Sequence, residues 1–272
     1  MKCLLVIPPY NDGNYANYFY IMPMGMAYIN TAMRQAGLDV TCINLNNYEY
    51  NEAFQVLSAK IIEDNIDCVM SSALSGSWHI LKRIFDTVKA VRPEVITIGG
   101  GGAYTSEPVP TAELTGVDYA VIGEGEITDV ELVQTLIAGG DVSKVNGILY
   151  KENGVYKRTP AREEIQDLDS IAFPSYEGFD METWLDSQKL SNGYYLNKLD
   201  NPRAISMILG RSCPYNCKFC FHPSGSKYRI RSLDNFFEEL DIVVEKYQPN
   251  CILVLDELFS AKVERIYEFC KR

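Results

Sequence analysis

Within the stretch GRSCPYNCKFCFHP, residues 210–223, three cysteines fall at spacings of four and three residues: Cys213, Cys217 and Cys220. Thiolates gathered in so short a loop can converge on one metal centre. A structural zinc site normally takes four ligands. His222 could supply the fourth, but a Cys-x-x-x-Cys-x-x-Cys-x-His run lacks the paired-knuckle spacing of common zinc modules. Three buried, unliganded cysteines fit less well, because Pro214, Asn216 and Lys218 lie between them. A cluster of four irons accounts for the number three. Three cysteines leave one iron open to an outside ligand, as catalytic metal sites keep one position free.

The other candidate groups read more plainly. Of the eight cysteines, Cys3, Cys42, Cys68 and Cys251 sit inside apolar runs (KCLLVI, VTCINL, DCVM, CILVL) and are expected to pack as small hydrophobes. Cys270, on an expected helix, reads the same way. The two histidines, His79 at the start of a helix and His222, read as ordinary polar residues. A formal net charge of -11 argues against a nucleic-acid partner or an anionic membrane surface, which would call for a basic patch. No apolar run reaches the ~18 residues that span a bilayer, and the run in MKCLLVIPPY is too short for a signal-peptide core. A cytoplasmic location is expected.

These groups need elements to position them. KCLLVIPP, DVTCINL, DCVMSSA, EVITIGG and DYAVIG are short apolar runs rich in β-branched residues, each followed by a longer amphipathic segment. That alternation predicts an α/β domain built on a flavodoxin-like, doubly wound parallel sheet. Pro23 suits the start of a helix over GMAYINTAMRQ and Gly37 its end, while Ile80, Leu81, Ile84, Phe85 and Val88 share one face of the next. Ligands of such folds bind beyond the carboxyl ends of the strands, at PPYNDGNY, SALSGSW, GGGGAYT and GEGE. The GGGG tip lets backbone approach a ligand closely but lacks the dinucleotide spacing, so a nucleotide dehydrogenase is disfavoured. NGILYKENGVYKR predicts a β-hairpin closed near Glu152-Asn153-Gly154. An acidic linker follows, ending in an aromatic stretch through Trp184, Tyr194 and Tyr195 that is expected to wrap the surface, a wall of the ligand cleft being the other reading. AISMILG is a strand whose carboxyl end carries the three cysteines. Ser232 then caps a helix whose Phe236, Phe237, Leu240, Val243 and Val244 should face inward, and CILVLDELF is the next strand.

Taken together, the tips resemble a known family. Ser72-Ala73-Leu74, the Gly99-Gly100 pair and the run from Asp118 through Gly123, Glu124 and Gly125 to Glu126 are similar in order and spacing to the cobalamin-binding domains that precede radical S-adenosylmethionine enzymes. So is PMGMAYINTAMRQAGLDV. The resemblance implies a slot for the nucleotide tail of cobalamin, with Tyr10, Ser72, Leu74, Gly99, Gly100, Gly123, Glu124 and Gly125 against the cofactor. It departs from the family in one respect. Many cobalamin carriers have an Asp-x-His-x-x-Gly loop whose histidine ligates cobalt, whereas NDGNYANYFY has no histidine, so a histidine-free cobalt is expected.

Cys213-x-x-x-Cys217-x-x-Cys220, with Phe219 before the third cysteine, resembles the signature of the radical S-adenosylmethionine enzymes themselves. That implies a 4Fe-4S cluster whose open iron holds S-adenosylmethionine, and an electron donor such as flavodoxin or ferredoxin. The family carries acidic residues and a Phe at the end of the second barrel strand, where Asp256-Glu257-x-Phe259 stands. Phe219, Asp256 and Glu257 are therefore expected at S-adenosylmethionine. A helix N-terminal acidic cluster is an equal reading of the same acids. Lys227, Arg229 and Arg231 resemble the family's KYRxRS stretch, and a solvated basic turn would look alike.

The expected organisation is a cobalamin-binding-like domain over 1–140, a hairpin and linker over 141–202, and over 203–272 the beginning of a (β/α) barrel truncated at Arg272. Such a fragment should be inactive alone, since a full barrel needs ~200 residues. The resemblance implies radical methyl transfer to a small molecule, with catalytic residues not identifiable. The alternatives are a cyclase or oxidoreductase of the same family, or a cofactor-binding module without chemistry of its own.

Overall fold

The computed structural model describes residues 1–10, 22–188, 199, 201–215, 217–222 and 225–272. The five apolar runs become β1 (Lys2–Ile7), β2 (Asp39–Asn44), β3 (Cys68–Ser72), β4 (Ile96–Gly100) and β5 (Tyr119–Val121). All are parallel, in the order β2-β1-β3-β4-β5. Between them lie α1 (Met24–Gln35), α2 (Tyr50–Glu63), α3 (Trp78–Val91) and the short α4 (Gly102–Ser106) and α5 (Pro108–Thr115). After β5 comes α6 (Gly125–Ile137). Helices on both faces explain why β1 is a continuous apolar run rather than an alternating one, with Cys3 through Ile7 fully buried. One face packs α1 and α6, the other α2 and α3. On α3, Ile80, Leu81, Ile84, Phe85 and Val88 are all buried, as their spacing requires.

The hairpin forms as β6 (Ile148–Glu152) and β7 (Val155–Arg158), turning through Asn153 and Gly154, both at positive φ. It is part of the main sheet: β6 pairs antiparallel with β5, giving seven strands. The stretch that follows does not simply wrap the surface. Met181, Trp184 and Leu185 are buried from α7 (Met181–Ser187), and Tyr176 and Phe179 join them in the core beside α1. A stripe at i, i+3 and i+4 in seven residues is too short to register as periodicity. Tyr194, Tyr195 and the loop 11–20 lie outside the described residues.

The last part begins with β8 (Ala204–Met207), which pairs in parallel with β11 (Cys251–Val254). Between them β9 (Gly210–Arg211) and β10 (Arg229–Ile230) form a small antiparallel pair, and α8 (Leu233–Tyr247) follows. Ser232 caps α8, its hydroxyl accepting from the Asn235 N–H at 3.1 Å. Phe236 and Val243 are buried, but Val244 is not: it is 47% exposed. The inward face is turned toward Glu239, which is buried against Arg231 at 2.5 Å. Two cysteine readings also change. Cys3, Cys42 and Cys68 are buried, Cys251 only partly, and Cys270 is exposed on α9 (Val263–Lys271), a helix that buries none of its residues.

Candidate functional site

The carboxyl ends of the parallel strands bring Tyr10, Ser72–Leu74, Gly99–Gly102 and Ile122–Gly125 to one edge of the sheet. The Tyr10 hydroxyl donates to the Ser72 carbonyl at 3.5 Å, and the Tyr10 N–H to Asn46 Oδ1 at 2.8 Å. The glycines of the β4 tip do different work. A Cβ on Gly99 would strike the Tyr104 ring at 2.4 Å, so this glycine makes room for packing behind the edge. Gly101, at φ +80, is the residue whose backbone demands glycine; a Cβ there would also lie 3.0 Å from the Ala73 carbonyl oxygen. A Cβ on Gly100 would meet only Ser72 Cβ, at 3.9 Å, and one on Gly123, also at positive φ, would meet nothing within 4 Å. Between these tips lies a cavity of about 160 Å³ walled by Ser72, Gly100, Gly101, Gly125, Asp129 and Arg211.

Arg211 reaches that wall from the other part of the chain. It stands opposite Arg229 across the β9–β10 pair, so the cysteine loop leaves and returns at one base. Glu124 holds both arginines. Its carboxylate accepts from Arg211 Nη1 at 2.6 Å, from Arg229 Nη1 at 2.8 and 2.9 Å, and from the Ile165 N–H at 2.8 Å. Glu126 takes Arg211 Nη2 at 2.5 Å. These side chains are nearly buried, between 4% and 11% exposed. Burial alone would lower the pKa of the Arg211 guanidinium, but Glu126 and Glu124 outweigh it and hold it above its ordinary value. Glu164 fastens the returning strand, accepting from the N–H groups of Ser226 at 2.6 Å and Lys227 at 3.1 Å. Arg229 and Arg231 are therefore no solvated turn. Arg231 is buried, bonded to Glu239 and to the Ile208 carbonyl.

Within the loop, Cys213 is half-buried and Cys217 and Cys220 are exposed, all three as free thiols. The Cys220 N–H donates to the Cys217 carbonyl at 3.0 Å. Local desolvation, and then the neighbouring Cys217 and Cys213 sulfurs, push the Cys220 thiol above its ordinary value, which places the three sulfurs in one neighbourhood. Among the described residues no three His, Cys, Asp or Glu side chains close on a point that a single ion would occupy. A soft donor set spread over an exposed loop suits a polynuclear iron–sulfur cluster better than one zinc ion. His222 is turned to Glu257, its Nδ1 3.0 Å from Oε2, with Nε2 buried and unpartnered among the described residues.

Asp256 and Glu257 do not cap a helix, since α9 starts only at Val263. Asp256 instead accepts from the Leu209 and Gly210 N–H groups at 2.7 and 3.1 Å, tying β11 to the start of the cysteine loop. Burial pushes its carboxyl above the usual range against those two bonds. Phe219 is 89% exposed. Phe221 and Leu74 meet over the β4 tip: a Cβ on Gly102 would lie 3.2 Å from Leu74 and 3.6 Å from Phe221. The strand tips and the cysteine loop thus face one cleft. Of the residues assigned to cobalamin from the sequence, Glu124 is saturated by protein donors and Gly99 is turned away. The arginines that complete the arrangement, Arg211 and Arg229, carried no sequence signal for their partners.

Residues 17–133 match the family model of the B12 binding domain. Along its full length the chain is 29% identical to an uncharacterized methyltransferase of Pyrococcus horikoshii, covering 57% of it. It is 26% identical over its full length to the anaerobic magnesium-protoporphyrin IX monomethyl ester cyclase of Rubrivivax gelatinosus, covering 48%. The chain thus spans about half the length of the curated relatives it matches. Among solved structures, the radical S-adenosylmethionine methyltransferase TsrM of Kitasatospora setae superposes with a TM-score of 0.77 at 16% identity, over 100% of this chain and 50% of that one. OxsB, a cobalamin-dependent S-adenosylmethionine radical enzyme, superposes at 0.76 and 17% identity, over 99% of this chain and 36% of that one.

Proposed function

We propose, for a chain that carries a B12-binding domain and is homologous to the cobalamin-dependent radical S-adenosylmethionine enzymes, that it belongs to an enzyme transferring a methyl group to a small-molecule substrate. The observation that carries this reading is Arg211. It lies two residues before Cys213 and forms part of the wall of the cavity at the strand tips, so groups held by the cysteines and by the tips share one cleft.

Cys213, Cys217 and Cys220 would hold a 4Fe-4S cluster, with Phe219, Asp256 and Glu257 near S-adenosylmethionine. Tyr10, Ser72, Leu74, Gly100, Gly123 and Gly125 would line the cobalamin, with Gly99 and Glu124 supporting them from behind. When bound, the cluster with S-adenosylmethionine supplies a substrate-activating radical, and the cobalamin supplies the methyl group. The chain's own contribution is placement. Glu124 and Glu164 fix the base of the cysteine loop, Asp256 orients its first strand, and the exposed Leu74 and Phe221 give the cleft an apolar lining. An outside one-electron donor such as flavodoxin or ferredoxin would be needed. The proposed organisation is a cobalamin-type unit over 1–140, its sheet extended by the hairpin strands β6 and β7 of the 141–202 segment, and the beginning of the radical barrel over 203–272. No helix of the described residues is long and apolar enough to cross a membrane; a cytoplasmic location belongs to the proposal.

Radical cyclisation is a second reading, favoured by the similarity to the Rubrivivax gelatinosus cyclase. Anaerobic reconstitution with iron and sulfide tests the common part. The wild type should develop the broad visible absorption of an iron–sulfur cluster, and a variant with Cys213, Cys217 and Cys220 all changed to Ala should not. Unchanged iron uptake by that variant, or a native site that takes only zinc with His222 as a ligand, would overturn it.

A further inference from the structure

One carboxyl at the start of α6 stands outside the ionic network. Asp129 is 3% exposed and forms no hydrogen bond or ion pair among the described residues. Arg211, which shares its cavity, is committed to Glu124 and Glu126. The carboxyl leans on Gly125, where a Cβ would lie 2.5 Å from Asp129 Oδ2, so this glycine leaves room for it at the cavity wall. A carboxyl buried with neither a cation nor a donor favours its protonated form. Burial first, and then the charge of Glu126, push Asp129 up to about 8.

A protonated carboxyl offers an O–H donor beside a carbonyl acceptor. A primary carboxamide presents the complementary pair, an acceptor oxygen beside an N–H donor. The cavity, at about 160 Å³, has room for a group of benzene's size and not for a macrocycle. Resting on the reading that the strand tips receive a corrinoid, we propose that Asp129 binds one of the corrin's peripheral carboxamide side chains, giving its O–H to the amide oxygen and accepting from the amide N–H.

The titratable groups around Asp129 are Glu124 and Glu126 from its own helix and Arg211 from β9, which share its cavity wall, the Cys68 thiol of the sheet beneath, and Tyr28 on α1, the helix that packs against α6. Burial raises the Tyr28 hydroxyl above its ordinary value, which already lies well above neutrality. Hydrogen bonding to Cys3, together with burial, raises the Cys68 thiol. Replacing Asp129 alone therefore isolates its own titration.

The test is equilibrium binding of cyanocobalamin and of dicyanocobinamide, which keeps the amides and lacks the nucleotide base, to the wild-type chain, D129N and D129A at pH 7, 8 and 9. Thermal unfolding first checks that each variant is folded. D129A should bind both corrinoids about ten-fold more weakly, the loss of a buried hydrogen-bonded pair. Wild-type Kd should rise about five-fold from pH 8 to 9 as the acid ionises. D129N, isosteric and always neutral, should keep the affinity and lose that pH step. Wild-type affinity in D129A overturns the proposal, as does a pH step that persists in D129N. A loss confined to cyanocobalamin would place the nucleotide base, not an amide, at Asp129 and overturns it equally. Failure of the wild type to bind either corrinoid would refute the underlying corrinoid reading instead.

Discussion

Glu124→Gln should lower the stability of the chain by about 3 kcal/mol, because it removes the one anion that two buried arginines share. Glu124 is 10% exposed, Arg211 9% and Arg229 4%. Taking one partner from a buried ion pair leaves a desolvated charge behind, at a cost of about 3–5 kcal/mol. The lower end applies here because neither arginine is fully abandoned. Arg211 keeps Glu126 at 2.5 Å, and Arg229 keeps the Glu164 carboxylate at 3.7 Å and the Ile165 and Lys227 carbonyls at 2.8 and 3.0 Å. At roughly 2–4 °C per kcal/mol for a chain of this class, the fall in Tm should be about 6–12 °C, readable by calorimetry. Asp86→Asn provides the control: its pair with Lys82 is exposed on α3 and should be worth under about 1 kcal/mol. A second readout follows from position, since Arg211 is two residues from Cys213. In E124Q the half-buried Cys213 thiol should react faster with iodoacetamide, while the already exposed Cys217 and Cys220 change little. If E124Q melts no lower than D86N and Cys213 keeps its wild-type rate, the two arginines do not depend on Glu124 and the loop is held some other way.

Three further outcomes follow. Asp129 is raised in the folded protein to about 8 from an unfolded value near ~3.9, so its contribution is present in full at low pH and declines as pH rises from ~4 through ~8. D129N should therefore flatten the fall in urea stability over that window by a few kcal/mol, and an unchanged slope would mean the group is ionised throughout. Ser232→Ala removes the cap of α8 and should cost about 1 kcal/mol in the same assay; a change below about 0.3 would show the cap bond idle. Reduced cobalamin on the protein should show no axial nitrogen splitting in electron paramagnetic resonance, since His79 is exposed on α3 and His222 belongs to the cysteine loop beside Glu257; such splitting would reverse the histidine-free expectation.

Features set by neighbouring residues were legible in the sequence. The five strands and the inward face of α3 follow from runs and spacings that any packed α/β sheet imposes, and the Asn153-Gly154 turn from the two positive φ values it requires. The three-cysteine loop was legible for the same reason, being local. Readings failed where burial was decided at a distance. Trp184 is in the core because the chain after the hairpin folds back onto α1, Val244 is outside because α8 turns Phe236, Glu239 and Val243 inward, and Cys270 is exposed because α9 packs through Phe269 instead.

The same reasoning explains why Glu124 was assigned to a ligand. In GEGE a glutamate at the end of a parallel strand reads as a group waiting for a cofactor, because open α/β folds bind ligands there. Its real partners lie 87 and 105 residues further along the chain, and nothing local in the sequence encodes that pairing. The two roles differ in what they let the protein do. A glutamate reserved for ligand would leave the cysteine loop to find its own position. A glutamate held by Arg211 and Arg229 makes the loop's base part of the cavity wall at the strand tips, so whatever fills that cavity presses on residues continuous with Cys213. The side chain left without a protein partner at that wall is Asp129, one turn further along α6, because Glu124 and Glu126 have taken Arg211, the only guanidinium in the cavity wall among the described residues.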